Sequence, residues 1–323
     1  MNKKIFFILS VATITFFSCN QRQERTEIEL DSISITPNWR DNTTINLTLR
    51  KKNEVRTDGR STSAGSRQTN IELRLTKNCD DTWRGRWRAA RTPIPFLQMM
   101  NPIERRLTEL IDGFTFYFTL DTDGAFIELD NWQELQSIGL QAIDVIIDEV
   151  AKSTDMDDLL TEQMRLTFGK MFATRENIET YFIQDIQLFF GLGGAELHRG
   201  DTIENVIPVA HPITGEWVWH NTQIVFQAAY SDSTCDIVII GTIDGSELLG
   251  AVEDFLGSVL DDEKMDGFQD EMADVEFSAK VIANYTISLR TGLPEKVVER
   301  RYITVGDKQR ITTTEITRRA ARW

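Results

Sequence analysis

The feature that most constrains the fold is a long, unbroken alternation of apolar residues near the C-terminus. Every second residue from Val275 to Leu289 is apolar. Side chains of a β-strand point alternately to opposite faces, so this period of two predicts a long strand. Turn-forming residues at Thr291–Pro294 and Gly306–Asp307 lead into two further strand patterns, residues 297–305 and 310–317. Consecutive strands joined by short turns form an antiparallel meander.

Two further strand pairs are predicted in the N-terminal half. Ile45–Leu49 and Ile71–Leu75 alternate on either side of a polar stretch, Lys51–Asn70, which predicts a β-hairpin with a long polar loop. Phe114–Leu120 is the first strand of the second pair, and a turn at Asp121–Gly124 connects it to its partner strand, Ala125–Leu129. The two aspartates resemble part of a calcium loop, but the remaining ligands are missing, so a turn is favoured.

Between residues 131 and 190 the apolar residues recur with a period of about 3.6, which indicates helices. Asn131 with Glu134, Thr154 and Thr174 are candidate N-caps, and glycines follow from residue 191. The sequence therefore predicts an α+β fold in which a curved antiparallel sheet carries this helical block between its N- and C-terminal strands. The Met- and Phe-rich helical face either packs on the sheet or lines a cavity for an apolar ligand.

The first nineteen residues look like an export signal. Lys3 and Lys4 precede an apolar segment, Ile5–Phe17, that is too short to cross a membrane. Ser18-Cys19 at its end resembles the bacterial lipobox, although Phe16 stands where that motif usually has Leu. The resemblance implies cleavage before Cys19, acylation of Cys19 with chains such as palmitate, and a membrane anchor. The alternative is an ordinary secretory signal with an unmodified cysteine.

The domain organisation follows from these patterns. Residues 1–18 are predicted to be the signal peptide, residues 19–40 a polar tether, and residues 41–323 a single domain with a helical insertion at 131–194. With Cys19 acylated, Cys79 and Cys235 are the remaining thiols in a compartment where disulfides persist. Two interpretations stay open for these cysteines. They either form a disulfide or are free thiols, and a buried free thiol behaves as a small apolar side chain.

Charge is spread unevenly along the chain. Residues 39–106 carry fifteen Lys and Arg against seven Asp and Glu, a net charge of +8, whereas the whole chain carries −15. This overall acidity argues against nucleic acid as a partner. In the segment Trp83–Arg91, Arg84, Arg86 and Arg88 share one face of a predicted strand. They form either a solvated face or a surface for an anion or an envelope partner.

Residue patterns specific for catalysis are lacking. The three histidines, His198, His211 and His220, do not have the spacing of a zinc site, and no nucleophile elbow or phosphate-binding loop is present. No cofactor and no metal are therefore predicted, and the protein is more readily interpreted as a non-enzyme. A hydrolase that acts on envelope or imported polymers through a carboxylate pair remains the alternative, because the 50 acidic residues offer many candidates for such a pair. The sequence singles out no two of them.

Taken together, Cys19, the helical block 131–190 and the Thr291–Pro294 turn resemble exported bacterial lipoproteins of unknown function. The architecture is also similar to that of the periplasmic carriers of lipid-modified proteins. The resemblance implies a lipid-anchored envelope protein, expected on the outer membrane facing the periplasm. We expect it to bind a hydrophobic ligand or an envelope protein. A structural subunit of an envelope complex is a further alternative.

Overall fold

The computed structural model describes residues 25–93, 100–154, 157–170, 172–210, 217–243, 245–247, 249–250, 253 and 275–319. Within these ranges the chain has an α+β fold made mainly of antiparallel strands. Cys19 and His211 lie outside the described residues. None of the helices in the described ranges is long and apolar enough to cross a membrane.

The strands are β1 (Glu27–Ile28), β2 (Ser32–Ser34), β3 (Thr43–Thr57), β4 (Arg60–Lys77), β5 (Trp83–Ala89), β6 (Thr115–Leu120), β7 (Phe126–Leu129), β8 (Glu196–His198), β9 (Thr202–Ala210), β10 (Trp217–Tyr230), β11 (Thr234–Ile243), β12 (Phe277–Ser288), β13 (Leu293–Val305) and β14 (Lys308–Arg318). The helices are α1 (Pro102–Ile111), α2 (Trp132–Thr154), α3 (Asp158–Lys170), α4 (Arg175–Phe182) and α5 (Gln184–Phe190).

Twelve strands form the main sheet, in the order β1-β10-β11-β12-β13-β14-β3-β4-β5-β6-β7, and β9 pairs with β10 on the same side as β1. All pairs are antiparallel, and the predicted C-terminal meander is confirmed as β12, β13 and β14. β14 pairs with β3, so N-terminal and C-terminal strands meet in the middle of the sheet.

The sheet curls around the helices α4 and α5. Helix α4 contacts β7 at one edge of the sheet and β9 at the other, while α5 contacts β13 near the middle. The face that surrounds these helices is called the inner face. In the central parts of strands such as β3, β5 and β13, alternate side chains are buried on this face, and most of them are apolar. Its fully buried members include Leu47, Leu73, Leu75, Phe118, Ile237, Val297 and Ile316.

The hairpin β3–β4 differs from its prediction in one respect. The alternating runs are paired as expected, but Lys51–Asn70 is not a loop. Both strands continue through this polar stretch to a tight turn at Asp58–Gly59, where both residues have positive φ. Backbone pairing with β14 supports β3 along this extension, and a polar strand exposed on both faces carries no alternation that sequence could reveal. This turn is called the tip.

The N-terminal segment predicted to be a tether, residues 19–40, is part of the fold from Glu27 onward. β1 and β2 pair with β10 and β8, and Ile33 and Ile35 are buried because they cover the end of the sheet. Trp39 donates an indole hydrogen bond of 2.6 Å to the carbonyl of Thr291. Residues 35–39 are called the strap, and the end of the sheet that they cover is the strap end.

Local signals at the helix starts are only partly confirmed. Thr174 caps α4 as predicted, accepting from the amide of Asn177 at 3.2 Å. Helix α2 instead continues through Thr154, and Asp157 caps α3. The Asn131 oxygen accepts from the amide of Tyr117 at 3.0 Å and so binds β6, while its side-chain amide donates to Glu134 in the first turn of α2 at 3.4 Å. The Asp121–Gly124 turn is confirmed, and the Asp121 carboxylate accepts hydrogen bonds from the backbone amides of Asp123 and Ala125.

Candidate functional site

The first candidate site is the apolar interior between the inner face and α5. Phe189 and Phe190 of α5 are 2% and 3% exposed. The Phe189 ring lies 6.0 Å from that of Trp87, and the Phe190 ring lies 5.6 Å from that of Phe118. Gly85 makes this packing feasible, because a Cβ there would lie 2.2 Å from the Phe118 ring. Helix α5 therefore fills the interior with aromatic side chains that contact strands β5 and β6.

A single tyrosine fixes the C-terminal turn of α5 to the sheet. The last carbonyls of a helix have no partner within the helix, and Leu188 is one of these residues. Tyr285 on β12 donates its hydroxyl proton to the Leu188 carbonyl at 3.0 Å. The ring is buried, and burial raises the pKa of Tyr285, so the hydroxyl remains a donor at neutral pH. A helix of seven residues is not stable by itself, so such contacts hold it in place.

The strap closes the interior at the strap end. Trp39 stacks edge-on against Trp83, with ring centroids 5.1 Å apart. Gly193, just after α5, lies against the backbone of Gly124, where a Cβ would come within 2.4 Å of the carbonyl. The free space left between strap, α5 and sheet is about 10 Å³, which is about enough for one water molecule. An apolar ligand can therefore enter only if α5 or the strap moves.

The inner face becomes polar at the N-terminus of α5. Glu299 on β13 is 6% exposed and accepts two hydrogen bonds from Arg301, at 2.6 and 3.2 Å. Arg301 also donates to the side chain of Gln184 at 2.9 Å, and Lys51 pairs with Asp185 at 2.8 Å. These contacts attach the first turn of α5 to β13 and β3. Opposite charges are matched in each pair, so the cluster carries no net charge.

Two further buried polar groups lie on β10 beside this cluster. Within the described part of the chain, His220 Nε2 and Thr222 Oγ1 are buried without a hydrogen-bond partner. The imidazole lies over Gly241, where a Cβ would come within 2.0 Å of Nε2. Burial lowers the pKa of His220, and the Gly241 backbone and the Glu299 carboxylate offset this only in part. The imidazole is therefore neutral at pH 7.

The arginine face predicted on β5 lies on the outer side of the sheet. Arg84 pairs with Asp130 at 3.3 Å and lies 5.3 Å from the centroid of the Tyr117 ring. Arg86 pairs with Glu72 on the adjacent β4, whereas Arg88 has no ion-pair partner among the described residues. Two of the three charges are thus matched by neighbouring side chains, which is the arrangement of a solvated strand face.

The two cysteines of the domain are free thiols in the structure. Cys79 is exposed in the β4–β5 turn, and Cys235 is buried at the start of β11. Strands β12, β13, β14 and β3 separate β11 from β4 in the sheet, so the disulfide that the sequence left open is not formed here. Burial raises the pKa of the Cys235 thiol to about 12, which keeps it protonated and unreactive.

A groove with a volume of about 400 Å³ lies between α1 and α2. Its walls are charged: α1 contributes Arg106 and Glu109, and α2 contributes Asp144 and Asp148. Arg165 of α3 already binds Asp144 at 3.4 Å and Asp148 at 2.5 Å. Ligand pockets for apolar molecules are lined mainly by hydrophobic side chains, so this groove does not fit one.

Two carboxylates of the described residues, one on α4 and one on β7, are bound to the same arginine. Glu179 on α4 and Glu128 on β7 both pair with Arg175. Burial raises the pKa of Glu179, but its carboxylate also accepts the backbone amide of Leu129 at 2.8 Å. These contacts fasten α4 to the edge strand β7. Across the described residues, no three His, Cys, Asp or Glu side chains come together as metal ligands would.

Sequence reasoning missed the polar cluster on β13, although a signal was present. On the inner face of that strand, Glu299 and Arg301 stand between Val297 and Ile303. Two opposite charges two residues apart on an otherwise apolar face predict that the buried carboxylate is paired with the arginine. His220 shows no comparable signal, because its burial depends on the distant Gly241.

Comparisons with known proteins give little further information. No protein-family model matches the chain, and no curated protein matches it. A solved structure described as lipid–protein interactions in lipovitellin superposes on 87% of this chain with a TM-score of 0.44 and 7% sequence identity. This chain covers 25% of the lipovitellin chain, about a quarter of its length.

Proposed function

We propose that this protein is a lipid-anchored, non-enzymatic binding protein of the bacterial cell envelope, and that its ligand is apolar. The anchor is acylated Cys19, and the expected location is the outer membrane on the side that faces the periplasm. The signal-peptide pattern and the small residue before Cys19 support this part of the proposal. The interior of the curled sheet supports the ligand class.

The observation that carries the proposal is the way in which the inner face is covered. Two short helices shield its apolar and aromatic side chains, and α5 is attached through few polar contacts. These are the Tyr285 bond at one end and the Arg301 and Lys51 contacts at the other. We infer that α5 occupies the place of the ligand in the empty protein. When α5 moves out, an acyl chain replaces its aromatic side chains against β5 and β6.

The decisive experiment is native mass spectrometry of the mature protein, purified gently from its own membrane. The proposal expects a non-covalent adduct whose extracted chemistry is apolar, in addition to the acyl groups on the N-terminal cysteine. A Cys19→Ala variant, exported with an ordinary cleavable signal, serves as the control. It must lose the covalent acyl mass and keep the non-covalent adduct. A mature protein with unmodified Cys19 refutes the anchor, and an adduct-free protein that binds no added fatty acid refutes the ligand class.

A further inference from the structure

Among the residues that the structure describes, the part of β4 nearest the tip is paired on one side only, with β3. β4 pairs with β3 along its whole length, but β5 pairs only with Ile71–Lys77. From Arg60 to Gln68 every residue of β4 is exposed. The free edge is defined as residues 60–69. The first buried residue of β4 is Ile71, so the free edge lies outside the apolar interior.

The register shows which backbone groups face outward on the free edge. Ala90 donates its amide proton to the carbonyl of Asn70 at 2.7 Å, so the backbone groups of Asn70 point to the β5 side. In a strand this direction alternates, and β4 pairs regularly with β3 from Ser63 to Asn70. The amide and carbonyl groups of Ala64, Ser66 and Gln68 therefore point to the same side, where no described strand accepts them.

Natural sheet edges are commonly protected by Pro, Lys, inward charges or strong bulges. The free edge has no Pro and no Lys, and Ser61–Ser66 contains only small side chains that permit close approach of another strand. An unpaired row of alternating donors and acceptors is matched by the backbone of a second polypeptide strand. A flexible polyanion offers no such row of donors.

Charge identifies the kind of strand that fits. Residues 50–69 carry six Lys and Arg against two Asp and Glu, while the chain as a whole carries −15. Arg67 donates to the neutral Thr92 hydroxyl at 3.1 Å, and within the described ranges neither Arg67 nor Arg60 has an ion-pair partner. A second copy aligned antiparallel on this edge would bring the arginines of both strands together, which is unfavourable. An acidic strand would neutralise them.

We propose that the free edge of β4 is a docking site for an extended acidic segment of a partner protein, which adds to the sheet as an antiparallel strand beside Ala64, Ser66 and Gln68. Backbone hydrogen bonds supply the attachment, and Arg60 and Arg67 select acidic side chains. This surface lies on β4 beyond the end of β5 and is separate from the paired arginines of β5.

The test uses the mature full-length chain and a synthetic peptide of about nine residues, a usual strand length, in which Thr and Glu alternate. The matched control peptide alternates Thr and Lys. We expect the acidic peptide to bind and to slow hydrogen exchange at the amides of Ala64, Ser66 and Gln68. A Ser66→Pro substitution removes one outward amide and should weaken binding at least tenfold, whereas Ser66→Val keeps the amide and should bind as the parent does. The double variant Arg60→Glu, Arg67→Glu should prefer the Thr–Lys peptide.

Four results would overturn the proposal. Neither peptide slows exchange on β4, or Ser66→Pro binds as well as Ser66→Val while circular dichroism shows both to be folded. In the third, an unstructured polyanion such as heparin protects the same amides equally, which would reduce the site to charge alone. Dimerisation of the chain that Ser66→Pro abolishes would also count against an acidic partner, because it would identify a second copy as the occupant.

Discussion

Replacing Tyr285 with Phe tests whether α5 has to move before a ligand can bind. The substitution keeps the buried ring and removes only the hydroxyl that donates to the Leu188 carbonyl at 3.0 Å. That carbonyl lies in the last turn of α5, so it is left without a partner. Leaving a buried acceptor unsatisfied costs about 1.5 kcal/mol, a factor of about ten in an equilibrium constant. The penalty applies only while α5 is seated against the sheet.

If ligand binding requires α5 to leave, the competent state becomes about ten times more populated in Tyr285→Phe, and the apparent Kd falls by about that factor. A fluorescent long-chain fatty acid measures the Kd, and chemical denaturation measures the matching loss in the free energy of unfolding. Ile311→Val is the control: Ile311 lies on the opposite face of β14 from α5, and its substitution costs about 1 kcal/mol. It should lower stability and leave the Kd unchanged. A Kd that stays the same in Tyr285→Phe, despite lowered stability, refutes displacement of α5.

Three further predictions concern particular residues. Cys79 should react with a maleimide in the native protein, and Cys235 should react only after denaturation, because burial raises the pKa of Cys235 to about 12. A native protein with no reactive thiol would instead indicate the disulfide. The pKa of His220 is lowered in the folded state, so the unfolded chain binds more protons below about pH 6.5 and the free energy of unfolding should fall as the pH drops from there. His220→Gln should flatten that slope in denaturation curves, and an unchanged slope would exclude His220 as its source. Gly193→Ala should cost about 2 kcal/mol or more in thermal unfolding, since its Cβ meets backbone atoms at 2.4 Å, whereas Gly65→Ala, in open space, should leave Tm unchanged.

The strands that have one buried face could be predicted from the sequence. The strand segments that are exposed on both faces could not. β12 is visible because one face of Phe277–Ser288 is buried, and burial is what makes apolar residues alternate. Arg60–Gln68 is exposed on both faces, so it resembles a loop in sequence although its backbone is paired. The strap shows the opposite difficulty. Ile35, Pro37 and Trp39 occupy alternate positions, but a run of five residues in which only Ile35 is fully buried is too short to be recognised in the sequence.

The candidate site was predictable only in its apolar part. The Phe-rich end of α5 is evident from helical spacing, and it does pack on the sheet, with almost no space left over. The residues that hold α5 in place depend on register between distant parts of the chain. Tyr285 and Leu188 are 97 residues apart, and Arg301 and Gln184 are 117 apart. Side-chain bonds over such separations leave no local pattern.

The docked strap leaves only a short segment of chain between the domain and a lipid on Cys19. With residues 27–40 held against the sheet, five residues separate Cys19 from Arg25, and Arg25 is itself bound to Asp236 at 2.8 Å. Six peptide steps reach at most about 20 Å, so an acylated Cys19 would keep the strap end of the domain beside the bilayer surface. β3 runs 15 residues from that end to the tip, about 45–50 Å at the usual rise of a strand. The tip would then project away from the bilayer, where it could contact proteins that are not bound to the membrane.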